Sequence, residues 1–443
     1  MPDSILILGA SARAAAISAR RAGFVVYAAD LFEDLDLAAI AEATCVEDYP
    51  AGLVAAARRF PSCGWLYTGG LENRPAIVDR IAGERPLLGN RGVVLKRVRD
   101  PFQVRRALTN AGLRYPETCS DPRDAPSNGE WLCKAFASSG GNQVHRWRGW
   151  PPQPAGGHSV SSPSHAGEGN YYQRWIDGQN ASAVYLAAGG TARLLGVTRQ
   201  LVGANWCCVG AAAVDRPDWS GTPFRYCGSI GPLPIDDALR DQFTRIGHCL
   251  AAEFDLIGLF GVDAIIRAGE VWPVEVNPRY SASAEVLERA QGVSMIGAHV
   301  AACVEGCVNA PSPGLRPPSP PAARGRGGFE STQPKTVAHC PEEVQAGYGN
   351  RPADGRASES SGKAIAFAAQ GFTVTHALVE RLLAMNDDPW QPQVADVPHA
   401  GSVIQAGWPV TTLLADGDTA ASVEVKLRER MQALGRLVAT ATL

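Results

Sequence analysis

Residues 258–283 read GLFGVDAIIRAGEVWPVEVNPRYSAS, two apolar, β-prone runs separated by Arg-Ala-Gly-Glu. That tetrapeptide predicts a tight hairpin turn, which sets the two runs side by side and brings Asp263 next to Glu275. On an extended strand alternate side chains share a face, so Glu275 and Asn277 point one way while Val274 and Val276 point the other. Two carboxylates and an amide oxygen therefore converge between apolar neighbours. Carboxylates so close oppose joint ionisation unless a cation neutralises them, and hard oxygen donors in this number suit Mg²⁺ with phosphate oxygens completing its shell. Arg279, two residues beyond Asn277, adds a planar cation for the same phosphates. The plain alternative, acids on the solvent face of a hairpin, is opposed by the apolar residues on both sides of them.

Upstream, WLCKAFASSGGNQV ends a strand at Lys134 and runs into Ser138, Ser139, Gly140 and Gly141. A loop of small residues lets backbone N–H groups approach phosphate oxygens while the lysine supplies charge. It is not a Walker loop, and taken alone an ordinary surface hairpin explains it better. A third segment, YYQRWIDGQNASAVYL, reads as an apolar strand interrupted by Gln173 and followed by Asp177 and Gly178.

The 443 residues, 45% of them hydrophobic, are enough for two to four units. Residues 1–95 begin strand–helix–strand (SILILG, then an Ala-rich helix to Gly23, then FVVYAAD) and predict a small open α/β sheet with Rossmann-like character. Residues 96–170 carry the phosphate loop and a Pro/Gly/Ser-rich loop at 150–169; residues 171–308 carry the hairpin. Residues 309–361 hold too little apolar content to order and read as a linker or insertion. Residues 362–443 close the chain as an α+β segment with strands KAIAFAA and VIQAGWPVTTLLA and a final helix.

Charge narrows the partners. With 41 basic against 44 acidic residues, no positive field exists to draw a polyanion, so nucleic acid is not expected. No run reaches the roughly 18–20 apolar residues needed to span a bilayer. The acidic start lacks a secretory signal, and eleven cysteines show no disulfide framework, so the expected compartment is the cytoplasm.

Taken in order, Lys134 with its Ser/Gly loop, YQRWIDG, then Asp263 and the Glu-x-Asn-x-Arg register twelve positions on, the pattern resembles the ATP-grasp superfamily, in its biotin-carboxylase-related, carboxylate–amine ligase branch. The resemblance covers roughly residues 1–305. It implies a multidomain α/β and α+β protein, an ATP-grasp fold preceded by a Rossmann-like domain, with ATP and two Mg²⁺ (or Mn²⁺) ions bound. It implies that Lys134 holds the α and β phosphates and that Ser138 to Gly141 fold over them. Gln173, Arg174 and Ile176 then form the hinge at the adenine, with Ile265 beneath the purine. Asp263, Glu275 and Asn277 become the metal ligands, and Arg279 and Lys134 the catalytic cations. Ser11, Arg13 and Glu72 are candidates for holding the carboxylate substrate or the acceptor, each equally readable as a turn residue.

The chain departs from the family twice. Where an early lysine is usual it has Pro101, leaving Lys96, Arg97 or Arg99 as substitutes. After Arg279 it has Ser281, Ala282, Ser283 and Ala284 instead of the Gln, Val, Glu and His pattern of biotin carboxylases, and it lacks a biotinyl segment. The expected reaction is ATP-dependent joining of a small-molecule carboxylate to an amine through an acyl phosphate, with a homodimer as a candidate assembly. The alternatives are a carboxylase, a ligase with a non-amine acceptor, or an ATP-binding regulator without turnover. A rival for the N-terminal unit is nicotinamide binding, since Gly9, Ser11 and Asp30 loosely follow that fingerprint.

Overall fold

The computed structural model describes residues 3–149, 169–210, 223–309, 359–388 and 390–441. Almost all of the Pro/Gly/Ser-rich loop at 150–169 and of the expected linker at 309–361 lies outside them. Four short strands, β1 (Ser4–Leu8), β2 (Val25–Asp30), β3 (Glu42–Cys45) and β4 (Gly64–Tyr67), form a parallel sheet in the order β3-β2-β1-β4. Ile5, Leu6, Ile7 and Leu8 are fully buried, as expected of a parallel strand covered on both faces. The strand order reverses between β1 and β4, so the loops after them flank a crevice at the carboxyl end of the sheet.

That crevice is closely packed at β1. A Cβ on Gly9 would lie 2.0 Å from Thr68 Oγ1, so the glycine is there for strand–loop contact. Asp30 is fully buried and accepts backbone N–H bonds from Ala12, Phe32 and Glu33 at 2.8–3.0 Å. A nucleotide ribose would find that carboxylate already engaged, which removes the acid on which the nicotinamide alternative depends.

Four further strands, β5 (Thr118–Cys119), β6 (Trp131–Ala135), β7 (Val144–Trp147) and β8 (Asn170–Arg174), make a small antiparallel sheet in the order β5-β8-β6-β7. The segment YYQRWIDGQNASAVYL spans two strands: β8 ends before Asp177 and Gly178, and β9 (Gln179–Ala188) follows them in a different sheet. The larger sheet continues with β10 (Thr191–Val202), β11 (Cys208–Val209), β12 (Tyr226–Gly231), β13 (Gly258–Arg267), β14 (Glu270–Asn277) and β15 (Ser360–Ala368). The remaining strands are β16 (Phe372–Thr373), β17 (Val394–Ala395), β18 (Val403–Ile404) and β19 (Pro409–Gly417). Its order is β14-β13-β9-β10-β12-β15-β19-β17, with β11 beside β15.

The C-terminal segment thus completes the same sheet that carries the hairpin, through β15 against β12. Strand β15 begins at Ser360, inside the stretch read from composition as linker, and VIQAGWPVTTLLA is interrupted: β18 pairs with β16 while β19 joins the main sheet. The helix Asp237–Phe254 buries Phe243, Ile246, Leu250 and Phe254 against β9, β10 and β14, in the core where Tyr185 and Phe260 stack with ring centroids 4.8 Å apart. This core holds the polar hairpin rigidly from below. Among the described residues no helix is long and apolar enough to cross a membrane.

Candidate active site

Strands β13 and β14 are joined through Ala268 and Gly269, both at positive φ (50° and 77°), the backbone shape of a two-residue hairpin turn. The register pairs Asp263 with Glu275 and Gly261 with Asn277, and it shifts between Asp263 and Ala264, so that Ala264 faces Pro273. Val274 is the extra residue of this bulge. Proline suits the place because it has no N–H to offer the ladder. The displaced Val274 carbonyl accepts from Lys134 Nζ at 3.4 Å, which ties the hairpin to the small sheet above it.

Lys134 is 7% exposed, and its ammonium also donates to Gln173 Oε1 at 3.0 Å. Burial lowers its pKa, while Glu275 and Asp263 act to keep it charged. A lysine carries donors only, so Gln173 must turn its oxygen to Lys134 and leave its NH₂ elsewhere. That nitrogen is buried without a protein partner.

Asp263 accepts from Gln200 Nε2 at 3.0 Å and from Asn277 Nδ2 at 3.2 Å. Burial, then the neighbouring Glu275, raises its pKa to about 6, against the opposing pull of Ser182, Arg279 and Lys134. Glu275 accepts from Arg99 Nη1 at 2.5 Å. Arg279 donates through Nη2 to Glu72 Oε1 at 2.7 Å and to Asn277 Oδ1 at 3.3 Å. Burial opposes both partners of the Arg279–Glu72 pair, but their mutual attraction and hydrogen bond win: the carboxyl is held below its ordinary range and the guanidinium above.

A cavity of about 280 Å³ lies between the two sheets. Of the residues singled out in the sequence, Lys134, Ser139, Gly140, Gly141, Gln173, Arg174, Ile176, Asp263, Ile265, Glu275, Asn277 and Arg279 all line it. Ser138 does not: its carbonyl accepts from Asn73 Nδ2 at 3.0 Å and Arg99 Nη2 at 3.1 Å, and it lines a smaller cavity of about 20 Å³ behind the loop. Gly141 requires its glycine, since at φ 75° a Cβ would meet Phe224 O at 1.9 Å.

The three residues offered for substrate part ways. Arg13 is 1% exposed and reaches Asp396, Glu285 and Asp36, so it has no face left for a ligand. Ser11 is exposed at the turn after β1, with its carbonyl accepting from Thr68 Oγ1 at 2.8 Å, outside the cavity lining. Glu72 is 2% exposed and acts on Arg279. Among the three candidates for the missing lysine, Lys96 is exposed and Arg97 Nη2 donates to Glu253 O at 2.6 Å, whereas Arg99 reaches the hairpin.

Several functional neighbours gave no sequence signal. Gln200 and Ser182 are lone polar residues in strands, and only the pairing of β9 and β10 with the hairpin's sheet brings them to Asp263. Asn73 had a weak signal in its place beside Glu72.

The donor set fits a hard divalent ion. Among the described residues no group of three or more His, Cys, Asp or Glu is arranged to hold a metal. The hairpin instead offers two carboxylates and an amide, each oxygen retaining a lone pair, a set that suits Mg²⁺ when phosphate oxygens supply the rest. In the same cavity Gln173 Nε2, Arg279 Nε and Ser281 Oγ are buried without protein partners, as a polar ligand would require.

Residues 98–283 match the family model of the ATP-grasp domain. Solved structures with a similar fold include N5-carboxyaminoimidazole ribonucleotide synthetase from Thermus thermophilus (13% identity, TM-score 0.57, covering 98% of each chain). The carboxyaminoimidazole ribonucleotide synthase of Aspergillus clavatus, complexed with ATP, aligns at 12% identity and TM-score 0.58 over 98% of this chain and 99% of its own. The biotin carboxylase domain of Hydrogenobacter thermophilus 2-oxoglutarate carboxylase, complexed with MgADP and bicarbonate, aligns at 12% and 0.58 over 97% and 89%. At these identities the likeness is one of fold.

Proposed function

We propose that this chain, a member of the ATP-grasp superfamily through residues 98–283, is an ATP-dependent ligase that joins a small-molecule carboxylate to an amine through an acyl phosphate. One observation carries the reading: the lysine, the small-residue loop, the hinge segment, both hairpin carboxylates and Arg279 surround a single cavity.

Asp263, Glu275 and Asn277 would hold Mg²⁺, with Mn²⁺ as a substitute. When bound, the metal neutralises the phosphate charge that develops during transfer. Lys134, fixed by Gln173 and by the Val274 carbonyl, sits where it meets the nucleotide phosphates. Backbone N–H groups from Ser139 to Gly141 close over them, and Arg279 meets the transferred group once it loosens from Glu72. Gln173, Arg174 and Ile176 border the base, with Ile265 against its face.

The carboxylate substrate enters beyond the metal ligands, where Ser281, Ala282 and Ser283 form the wall. It is then held in line with the γ-phosphate. Attack of its oxygen on phosphorus forms the mixed anhydride and releases ADP; attack of the amine on the acyl carbon then releases phosphate. Ser281 to Ala284 bring no acid, amide or imidazole to that wall, which favours an organic carboxylate over bicarbonate. Small-molecule substrates and a cytoplasmic setting accord with this reading, and a homodimer is its proposed assembly.

A metabolite screen scored by ADP release tests the proposal, with Glu275→Gln as the blank. Release that requires one carboxylate and one amine, and that drops by about 10²–10³ in the variant while circular dichroism is unchanged, is expected. Dependence on bicarbonate would instead indicate a carboxylase. Tight nucleotide binding with no turnover for any substrate would indicate a regulator, and turnover untouched by Glu275→Gln would overturn the metal assignment.

A further inference from the structure

We propose that Arg99 is a positioning residue that occupies the charge place of the metal at Glu275 and ties the phosphate loop to that carboxylate. The inference rests on the cavity being a Mg·ATP site, and it concerns a residue with no place in the cavity wall: Arg99 lines the small cavity behind Glu275 and the loop.

Its backbone is immobilised. Arg99 ends the helix Gly92–Val98, and the next residue, Asp100, caps the helix Pro101–Asn110 by accepting from Phe102 N at 2.8 Å and Gln103 N at 3.3 Å. The side chain is 10% exposed. Nη1 donates to Glu275 Oε1 at 2.5 Å and to Val276 O at 3.1 Å; Nη2 donates to Asn73 Oδ1 and Ser138 O, each at 3.1 Å. One guanidinium thus joins three parts of the chain: the loop after β4, the phosphate loop, and the metal-bearing strand. Asn73 closes the triangle by donating to the same Ser138 carbonyl at 3.0 Å.

Two consequences of opposite sign follow. A divalent ion at Glu275 meets a fixed positive charge already bonded to one oxygen, so Arg99 weakens binding of the bare ion. The same side chain holds the loop in the place where its amides meet phosphates, so it strengthens binding of the nucleotide complex. A residue that merely stabilised the fold would move both affinities together or neither.

The experiment uses the full chain and two probes: Mn²⁺ alone, followed by electron paramagnetic resonance, and ATP with saturating Mg²⁺, followed by calorimetry. Arg99→Ala is expected to bind Mn²⁺ alone about tenfold more tightly, since a unit charge a few ångströms away is removed. It is expected to bind Mg·ATP about tenfold to a hundredfold more weakly as the loop loses its charged anchor. Arg99→Lys restores the charge but not the fork, so its Mn²⁺ affinity returns towards wild type while Mg·ATP binding stays weak. Asn73→Ala, which removes the Asn73 bonds to Ser138 and to Arg99 but leaves Arg99 on Glu275, should weaken Mg·ATP and leave Mn²⁺ binding unchanged, and it serves as the test if Arg99→Ala does not fold. Parallel losses in both probes, or no change in either, overturn the proposal for Arg99; unchanged Mg·ATP binding in Asn73→Ala does the same. A wild-type chain that binds no Mg·ATP would instead overturn the nucleotide-site reading.

Discussion

The hairpin site and the cluster around Arg13 are both buried ionic networks, and they differ in what their charges have left to give. Arg13 Nε donates to Asp396 Oδ1 at 2.9 Å, Nη1 pairs with Glu285, and Lys363 Nζ lies 2.5 Å from Glu285 Oε2. Asp36 accepts from the Asp396 and Val397 amides at 2.9 Å each. None of these side chains has a buried polar atom without a partner, whereas Gln173, Arg279 and Ser281 each have one at the cavity. The Arg13 network is closed and joins the helix Arg13–Arg21 to the helix Ala282–Gln291 and to β15. The hairpin network is open towards a cavity. On the proposed function, burial of charge does not by itself mark a working site, and unspent hydrogen-bonding capacity beside a cavity is the distinguishing feature.

The largest expected effect breaks the closed network. Arg13→Met would leave Asp396, Glu285 and Asp36 buried with Lys363 as the remaining cation, and it should cost about 3–5 kcal/mol of stability. Urea unfolding measures that loss. In the fraction still folded, Mg·ATP affinity should stay within about threefold of wild type, because Arg13 touches nothing that lines the cavity. A loss of nucleotide binding with stability intact would reverse the contrast.

The matching change in the open network is Lys134→Met. ADP release should fall by about 10²–10³. Thermal stability should change little or rise, since burial already opposes the Lys134 charge and an apolar side chain removes that cost. The two variants should thus separate fold from function in opposite directions.

The sequence made one network far more legible than the other. Asp263, Glu275 and Asn277 lie within one hairpin, so alternation and a two-residue turn were enough to place them together. Lys134 and its loop followed from the same local logic, helped by the family resemblance. Arg13, Asp36, Glu285, Lys363 and Asp396 come from five distant segments, and nothing in their local context announces that they meet. The same limit explains Glu72, read as a substrate residue: its side chain meets Arg279 only because the loop after β4 packs on the hairpin. Arg99 was one of three equal candidates until its position between two helices singled it out. Where a contact is set by sheet order, as between β12 and β15, composition even misplaced the start of the strand.

Proton linkage offers a finer separation. Asp263, with its pKa raised to about 6, binds a cation only when ionised, so Mg·ATP affinity should be level above pH 6 and fall about tenfold for each unit below. Asp34, beside the closed network, is raised to about 9 by burial first and then by Asp396 and Asp36. It keeps its proton in the fold but loses it near its ordinary carboxylate value when unfolded. A raised acid pKa stabilises the protonated fold, so that contribution is lost progressively as pH rises towards 9. Melting temperature should therefore decline between pH 6 and 9 while nucleotide affinity stays flat. Melting and binding that track each other would show that the two networks are coupled.

The smallest expected effect tests the rule itself, because Ser283 has features of both networks. It is 2% exposed, and its hydroxyl is satisfied by Thr198 Oγ1 at 2.9 Å and Ser229 Oγ at 3.4 Å, yet it lines the cavity. Thr198 Oγ1 also lies 3.4 Å from Ser182 O, an acceptor its hydroxyl can use once Ser283 is replaced, so the cost of Ser283→Ala should be about 1 kcal/mol of stability. Mg·ATP affinity should not change. If unspent capacity is what marks function, KM for the carboxylate should move less than about threefold, since a satisfied hydroxyl has little to offer the substrate. A larger rise in KM, with stability and nucleotide binding as expected, would show that Ser283 exchanges its present partners for the substrate, and that a closed hydrogen-bond set beside a cavity can still be part of the working surface.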